Sequence, residues 1–92
     1  MKIHKTATAG SLESNDVLVL VHPGDADGIA VEIKSIVIKQ FGKQIEKSVR
    51  EIATALGVTK AAFQLNDQGA LDYTIRARVE TAIRRAAKEE MA

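Results

Sequence analysis

Ser14 is the one side chain in this sequence whose setting invites chemistry. It lies in Gly10-Ser11-Leu12-Glu13-Ser14-Asn15-Asp16, directly ahead of the apolar run Val17-Leu18-Val19-Leu20-Val21. Asn and Asp between extended segments mark a hairpin turn, because both tolerate left-handed backbone. The Ser14 hydroxyl is therefore expected at a loop tip, in solvent and open to a modifying enzyme. Glu13 and Asp16 flank it as a nominal acid/base pair, but a solvated turn has nothing to lift a carboxylate pKa into a working range. A serine nucleophile elbow needs Gly-x-Ser-x-Gly and a histidine brought close, and neither accompanies Ser14. His4 and His22 have no acidic or serine partner nearby in sequence and read as surface residues near strand ends rather than metal ligands. The chain also lacks a Gly-x-Gly-x-x-Gly stretch and a Walker loop. If this protein takes part in a reaction, its reactive group is borrowed.

The elements that must position Ser14 follow from a chain of 92 residues, which suits one small domain. With 46% apolar residues but only Phe41, Phe63 and Tyr73 as aromatics, the core must be aliphatic. The absence of cysteine excludes disulfides and thiolate metal sites and is compatible with the cytoplasm, where we expect the protein. The N-terminus has no signal-peptide pattern, and no apolar run approaches the roughly 20 residues of a membrane span. A formal charge of +1 gives no general attraction to nucleic acid or membrane.

Thr6 to Leu12 forms a first short extended segment, and Val17 to Val21 a strand buried on both faces or keeping one face for a partner. After the loop around Pro23-Gly24-Asp25 and Asp27-Gly28, Ile29, Val31 and Ile33 alternate with Ala30, Glu32 and Lys34, a half-buried strand. These two strands most simply pair antiparallel. Ser35 is the expected N-cap of a helix whose apolar face is Val37, Ile38, Phe41, Ile45, Val49, Ile52 and Leu56, stopped by Gly57. Ala61, Phe63 and Leu65 mark a last strand. Leu71, Ile75, Val79, Ala82, Ile83 and Ala86 share one face of a second helix, with Glu80 and Arg84 paired on its surface. The expected fold is α+β: a small, mostly antiparallel sheet of three to four strands with two amphipathic helices packed on one face.

Arg76, Arg78, Arg84, Arg85 and Lys88 form a basic set on that second helix. Cations near its C-terminus suit the helix dipole, whereas Arg76 and Arg78 come early, where the dipole opposes them. They are candidates for contacts to phosphates of a nucleotide-like group or to acidic residues on a partner. Nucleic acid is the poorer fit, since no aromatic platform accompanies the charges.

Two segments, Ala9 to Val17 and Gly69 to Glu80, with Lys39-Gln40-Phe41-Gly42 between them, resemble the acyl carrier protein of citrate lyase, its gamma subunit. The resemblance runs in order over essentially the whole chain, residues 1–92. It implies that Ser14 carries 2'-(5''-phosphoribosyl)-3'-dephospho-CoA through a phosphodiester, added by a prosthetic-group transferase. It further implies a non-catalytic subunit holding acetyl and citryl thioesters on that arm. An alpha subunit (acyl transferase) would exchange acetyl for citryl, and a beta subunit (acyl lyase) would cleave citryl to oxaloacetate. Tyr73 stands where relatives often carry a smaller residue, commonly cysteine. The resemblance extends to carriers of citramalate lyase and malonate decarboxylase. From another class, a small interaction module without a prosthetic group, using Val17 to Val21 as its interface, is the alternative.

Overall fold

The computed structural model describes residues 1–88. Four strands and two helices follow in the order β1 (Ala7–Gly10), β2 (Val17–His22), β3 (Gly28–Ser35), α1 (Ile38–Ala55), β4 (Lys60–Asp67) and α2 (Asp72–Ala87). The sheet order is β1-β2-β4-β3. β1 with β2 and β2 with β4 are antiparallel, and β3 with β4 is parallel. The α+β expectation holds with four strands, in a sheet that is mixed.

The expected β2–β3 hairpin does not form. β4 lies between the two strands, opposing Val19 with Leu65 on one side and Ile33 with the same Leu65 on the other. The cause is α1: a helix between β3 and β4 supplies the crossover that a parallel pair requires. Placing β2 and β4 inside the sheet also suits their composition. Val17, Val19, Val21, Ala61, Phe63 and Leu65 are all buried on the helix-covered face. β3, with Glu32 and Lys34 exposed, takes an edge, where charge discourages pairing with other chains. On the opposite face Leu18 and Leu20 remain half-buried beside Gln64 and Asn66.

Both helices pack on one face, burying Ile45, Val49 and Ala53 from α1 and Ile75, Val79, Ala82, Ile83 and Ala86 from α2. The C-terminus of α1 is closed by Gly57 at φ 70. Its N–H donates to the Thr54 carbonyl (3.0 Å) and that of Val58 to the Ala53 carbonyl (2.9 Å), the paired bonds of a Schellman motif. The N-terminus differs from expectation. Val37, not Ser35, is the N-cap, with no side-chain capping bond. Ser35 instead ends β3, accepting the Val37 N–H (3.1 Å) and donating to Asp67 Oδ2 (2.7 Å). Asp67 is fully buried, and its Oδ1 accepts the Ala70 N–H at 2.9 Å. One carboxylate thus ties the end of β3 to the turn leading into α2, with a hydrogen-bond donor on each of its buried oxygens.

Three residues expected on buried helical faces are exposed: Ile38 (43%), Phe41 (47%) and Leu71 (59%). Periodicity gives the direction of a side chain but not the extent of the layer beneath it.

Candidate functional site

The β1–β2 loop is wider than a tight turn, running from Ser11 to Asp16. Gly10 at φ 90 begins it, and a methyl group there would stand 1.8 Å from the Val17 carbonyl oxygen, so only glycine allows this approach. Ser11 N–H then donates to that same carbonyl at 3.2 Å. At the tip Asp16 N–H closes a turn onto the Glu13 carbonyl (3.1 Å), with Asn15 left-handed at φ 64. A positive φ at that position of the turn is the conformation Asn tolerates better than most side chains. Ser14 occupies the middle of this turn and is exposed.

The loop is braced from two directions. Asn15 N–H donates to the Gln68 carbonyl (2.8 Å) and Gln68 N–H to the Asp16 carbonyl (2.9 Å), stitching it to the β4–α2 turn. Asp16 is the second brace. Its Oδ1 accepts from Val17 N–H (2.8 Å) and Arg78 Nε (3.0 Å), and its Oδ2 from Ser11 Oγ (2.7 Å) and Arg78 Nη2 (3.0 Å). This two-pronged arginine–carboxylate pair is the strong form of the interaction. The Arg78 guanidinium, helped by the Ser11 hydroxyl and the Val17 amide, lowers the Asp16 pKa to about 2. So committed an anion makes a poor proton acceptor at neutral pH, which makes Asp16 a poor general base for Ser14.

Of the arginines singled out in sequence, Arg78 thus holds the Ser14 loop to α2. Arg76 instead pairs with Asp72 (2.7 Å) and Glu51 (2.9 Å), clamping α2 to α1. Asp72 also accepts from the buried Ser48 hydroxyl, and that bond first, then Arg76, holds its carboxyl below the usual range. Farther along, Arg84 pairs with Glu80 (2.9 Å) and Arg85 donates to the Thr8 carbonyl (2.9 Å). His22 accepts the Gly24 N–H on Nδ1 (3.2 Å), and the His4 N–H donates to the Ala86 carbonyl (2.9 Å). No cluster of His, Asp and Glu suited to a metal is present among the described residues. Sequence reasoning missed Ser11 and Gln68 as braces. Only Asp16 carried a local sign, as a turn residue, because its partner lies 62 positions away.

Against this geometry the comparisons with known proteins are specific. A family model described as malonate decarboxylase delta subunit matches residues 4–86. A citrate lyase acyl carrier protein of Streptococcus mutans is 52% identical over 91 residues, covering 99% of this chain and 89% of that one. This chain belongs to the citrate lyase acyl carrier protein family. A Haemophilus influenzae member of the family is 53% identical over 89 residues, covering 97% of this chain and 92% of its own. In fold, the family member described here is similar to a chain of a Pseudomonas malonate decarboxylase hetero-tetramer solved with malonate. The two superpose with a TM-score of 0.75 over 92% of this chain and 87% of that one, at 19% identity. No helix among the described residues is long and apolar enough to cross a membrane.

Proposed function

We propose that this protein is the non-catalytic acyl carrier subunit of a citrate lyase complex, with its prosthetic arm joined through a phosphodiester to Ser14. The carrying observation is a serine held exposed at the tip of a braced loop, with the nearby Asp16 carboxylate committed to Arg78. Such a hydroxyl is reachable by a transferase but is not activated as a nucleophile. The arm we propose is 2'-(5''-phosphoribosyl)-3'-dephospho-CoA, which supplies the terminal thiol on which acyl groups are held as thioesters. A chain without cysteine fits that group, because the thiol then has no rival in the polypeptide. Asp16, two residues away, is paired with Arg78, which reduces the repulsion a phosphodiester on Ser14 would meet from that carboxylate.

Arg78 acts in this reading as a positioning residue. A contact from Arg76 or Arg78 to the arm's phosphates or to a partner would compete with their internal pairs. The partners are an acyl-transferring alpha subunit, an acyl-cleaving beta subunit and the prosthetic-group transferase, in the cytoplasm. A rigid anchor with a flexible arm raises the effective concentration of the acyl group at each partner site. Identities of 52% and 53% to citrate lyase carriers favour citrate over malonate, for which the solved relative is 19% identical.

Intact mass of the protein made together with its maturation enzymes tests the reading. The expected result is a single increment of the arm's mass that vanishes in Ser14→Ala, along with lyase activity of the assembled complex. An active, unmodified Ser14→Ala complex would overturn it. Assay with citrate, citramalate and malonate in parallel assigns the complex.

A further inference from the structure

The exposed apolar side chains of this protein are not scattered. Of the seven large hydrophobic residues left exposed among the described residues, only Met1 lies elsewhere; Leu12, Ile36, Ile38, Phe41, Leu71 and Tyr73 belong to the Ser14 loop or to the two helix starts next to it. Between those helix starts runs a groove of about 320 Å³, lined by Val37, Phe41, Ile45, Ala70, Leu71 and Ile75. Gln44, Asp67 and Asp72 supply its polar groups. Predominantly apolar walls with a few polar groups, at this volume, are the usual make-up of a small-ligand site. The groove opens beside the attachment loop. Gly69 lies between them: a methyl group there would be 3.8 Å from Asn15 Oδ1 and 3.5 Å from Ile36 Cδ1. Asn15 is the immediate neighbour of Ser14.

We propose that this groove is the resting seat of the thiol-bearing end of the arm, an inference that rests on the reading of Ser14 as its attachment point. Reach is no obstacle. An extended chain gains about 3.5 Å per residue length, and the amide-linked part of a coenzyme A arm is several such lengths beyond its phosphates. The chemistry matches in kind: methyl and methylene groups against Phe41, Leu71 and Ile75, and amides near Gln44. A neutral acetyl end can be buried there, whereas the carboxylates of a citryl end would lose their hydration without a cationic partner among the lining residues. The seat therefore discriminates by charge, sheltering the resting acyl group and releasing the charged one to the partner subunits.

The absence of cysteine provides the readout, since the arm's thiol is the only one in the loaded protein. Loading on Ser14 is first established by intact mass; failure at that step counts against the attachment reading itself. On loaded, deacylated protein the reaction of the thiol with an aromatic disulfide is then timed against free coenzyme A. A thiol seated nine-tenths of the time reacts about tenfold more slowly. In Phe41→Ser and Leu71→Ser, both already half exposed in the native fold, the rate should return toward that of coenzyme A with loading unchanged. Methyl NMR of loaded against unloaded wild type should move the signals of Ile45, Ile75 and Leu71 and leave Ile3 and Ile29 in place. A loaded protein whose thiol reacts as fast as coenzyme A and whose groove methyls do not move overturns the proposal. So does protection that appears only on adding the partner subunits, which would make the groove a protein-docking surface.

Discussion

The two ends of α1 are finished in opposite ways. At the C-terminus Gly57 turns the chain left-handed, Val58 and Ala53 are buried together, and the N-terminal amine of Met1 donates to the Leu56 carbonyl at 2.7 Å. At the N-terminus no side chain caps the helix, and Ile36, Ile38 and Phe41 face outward. The closed end serves stability. The open end lies near the Ser14 loop, so apolar surface is left uncovered beside the proposed attachment site. Substitutions at the two ends should therefore separate stability from function.

The largest effect should come from Ser14→Ala, which abolishes loading and lyase activity while leaving unfolding free energy within about 0.5 kcal/mol of wild type. A markedly destabilised variant would mean that the loop tip contributes to folding and would blur the contrast. On the stability side, Phe63→Ala removes a side chain that is 1% exposed between β2 and β3. It should cost about 3–5 kcal/mol in urea unfolding.

Asp16 ties the Ser14 loop to α2. Removing it as Asp16→Ala leaves Arg78 and the Val17 and Ser11 donors without an acceptor, a loss of about 1–3 kcal/mol, and slows arm attachment by loosening the loop. Its pH signature has a definite sign. The folded-state value of about 2 lies below the ordinary 3.8, so the stabilisation is present above 3.8 and lost as pH falls through about 2. Acid titration of Asp16→Asn should lack that part of the decline; a curve parallel to wild type would show that Arg78 does not lower the Asp16 pKa. The smallest effect is at the closed end. Gly57→Ala forces a side chain into left-handed backbone at a cost of about 1–2 kcal/mol, and lyase activity below the melting range should be unchanged.

Much of this was legible in the chain. Strand composition, helical periodicity and the Gly57 stop each express a local preference, and all three match the structure. Ser14 at a turn was legible for the same reason, because Asn15 carries its own conformational bias. What escaped was non-local. The insertion of β4 between β2 and β3 depends on α1 acting as a crossover, and no short-range pattern distinguishes that from a hairpin. The bracing of Asp16 by Arg78 joins residues 62 positions apart. Phe41 lies in the first turn of α1 and Leu71 at the N-cap of α2, and both are exposed although the apolar periodicity places them on buried faces.

The position of β4 has a consequence for synthesis. Until Lys60–Asp67 leaves the ribosome, β2 has only β1 beside it and β3 has no strand partner at all. Two apolar strands then wait with open edges, the state most prone to pairing with another chain. Closure requires contacts across long sequence separations, which slow folding. The insertion of β4 between β2 and β3 also brings in the Gln68 turn that holds the Ser14 loop. A transferase of the proposed kind that met a nascent chain would find Ser14 present before the turn that braces its loop has formed.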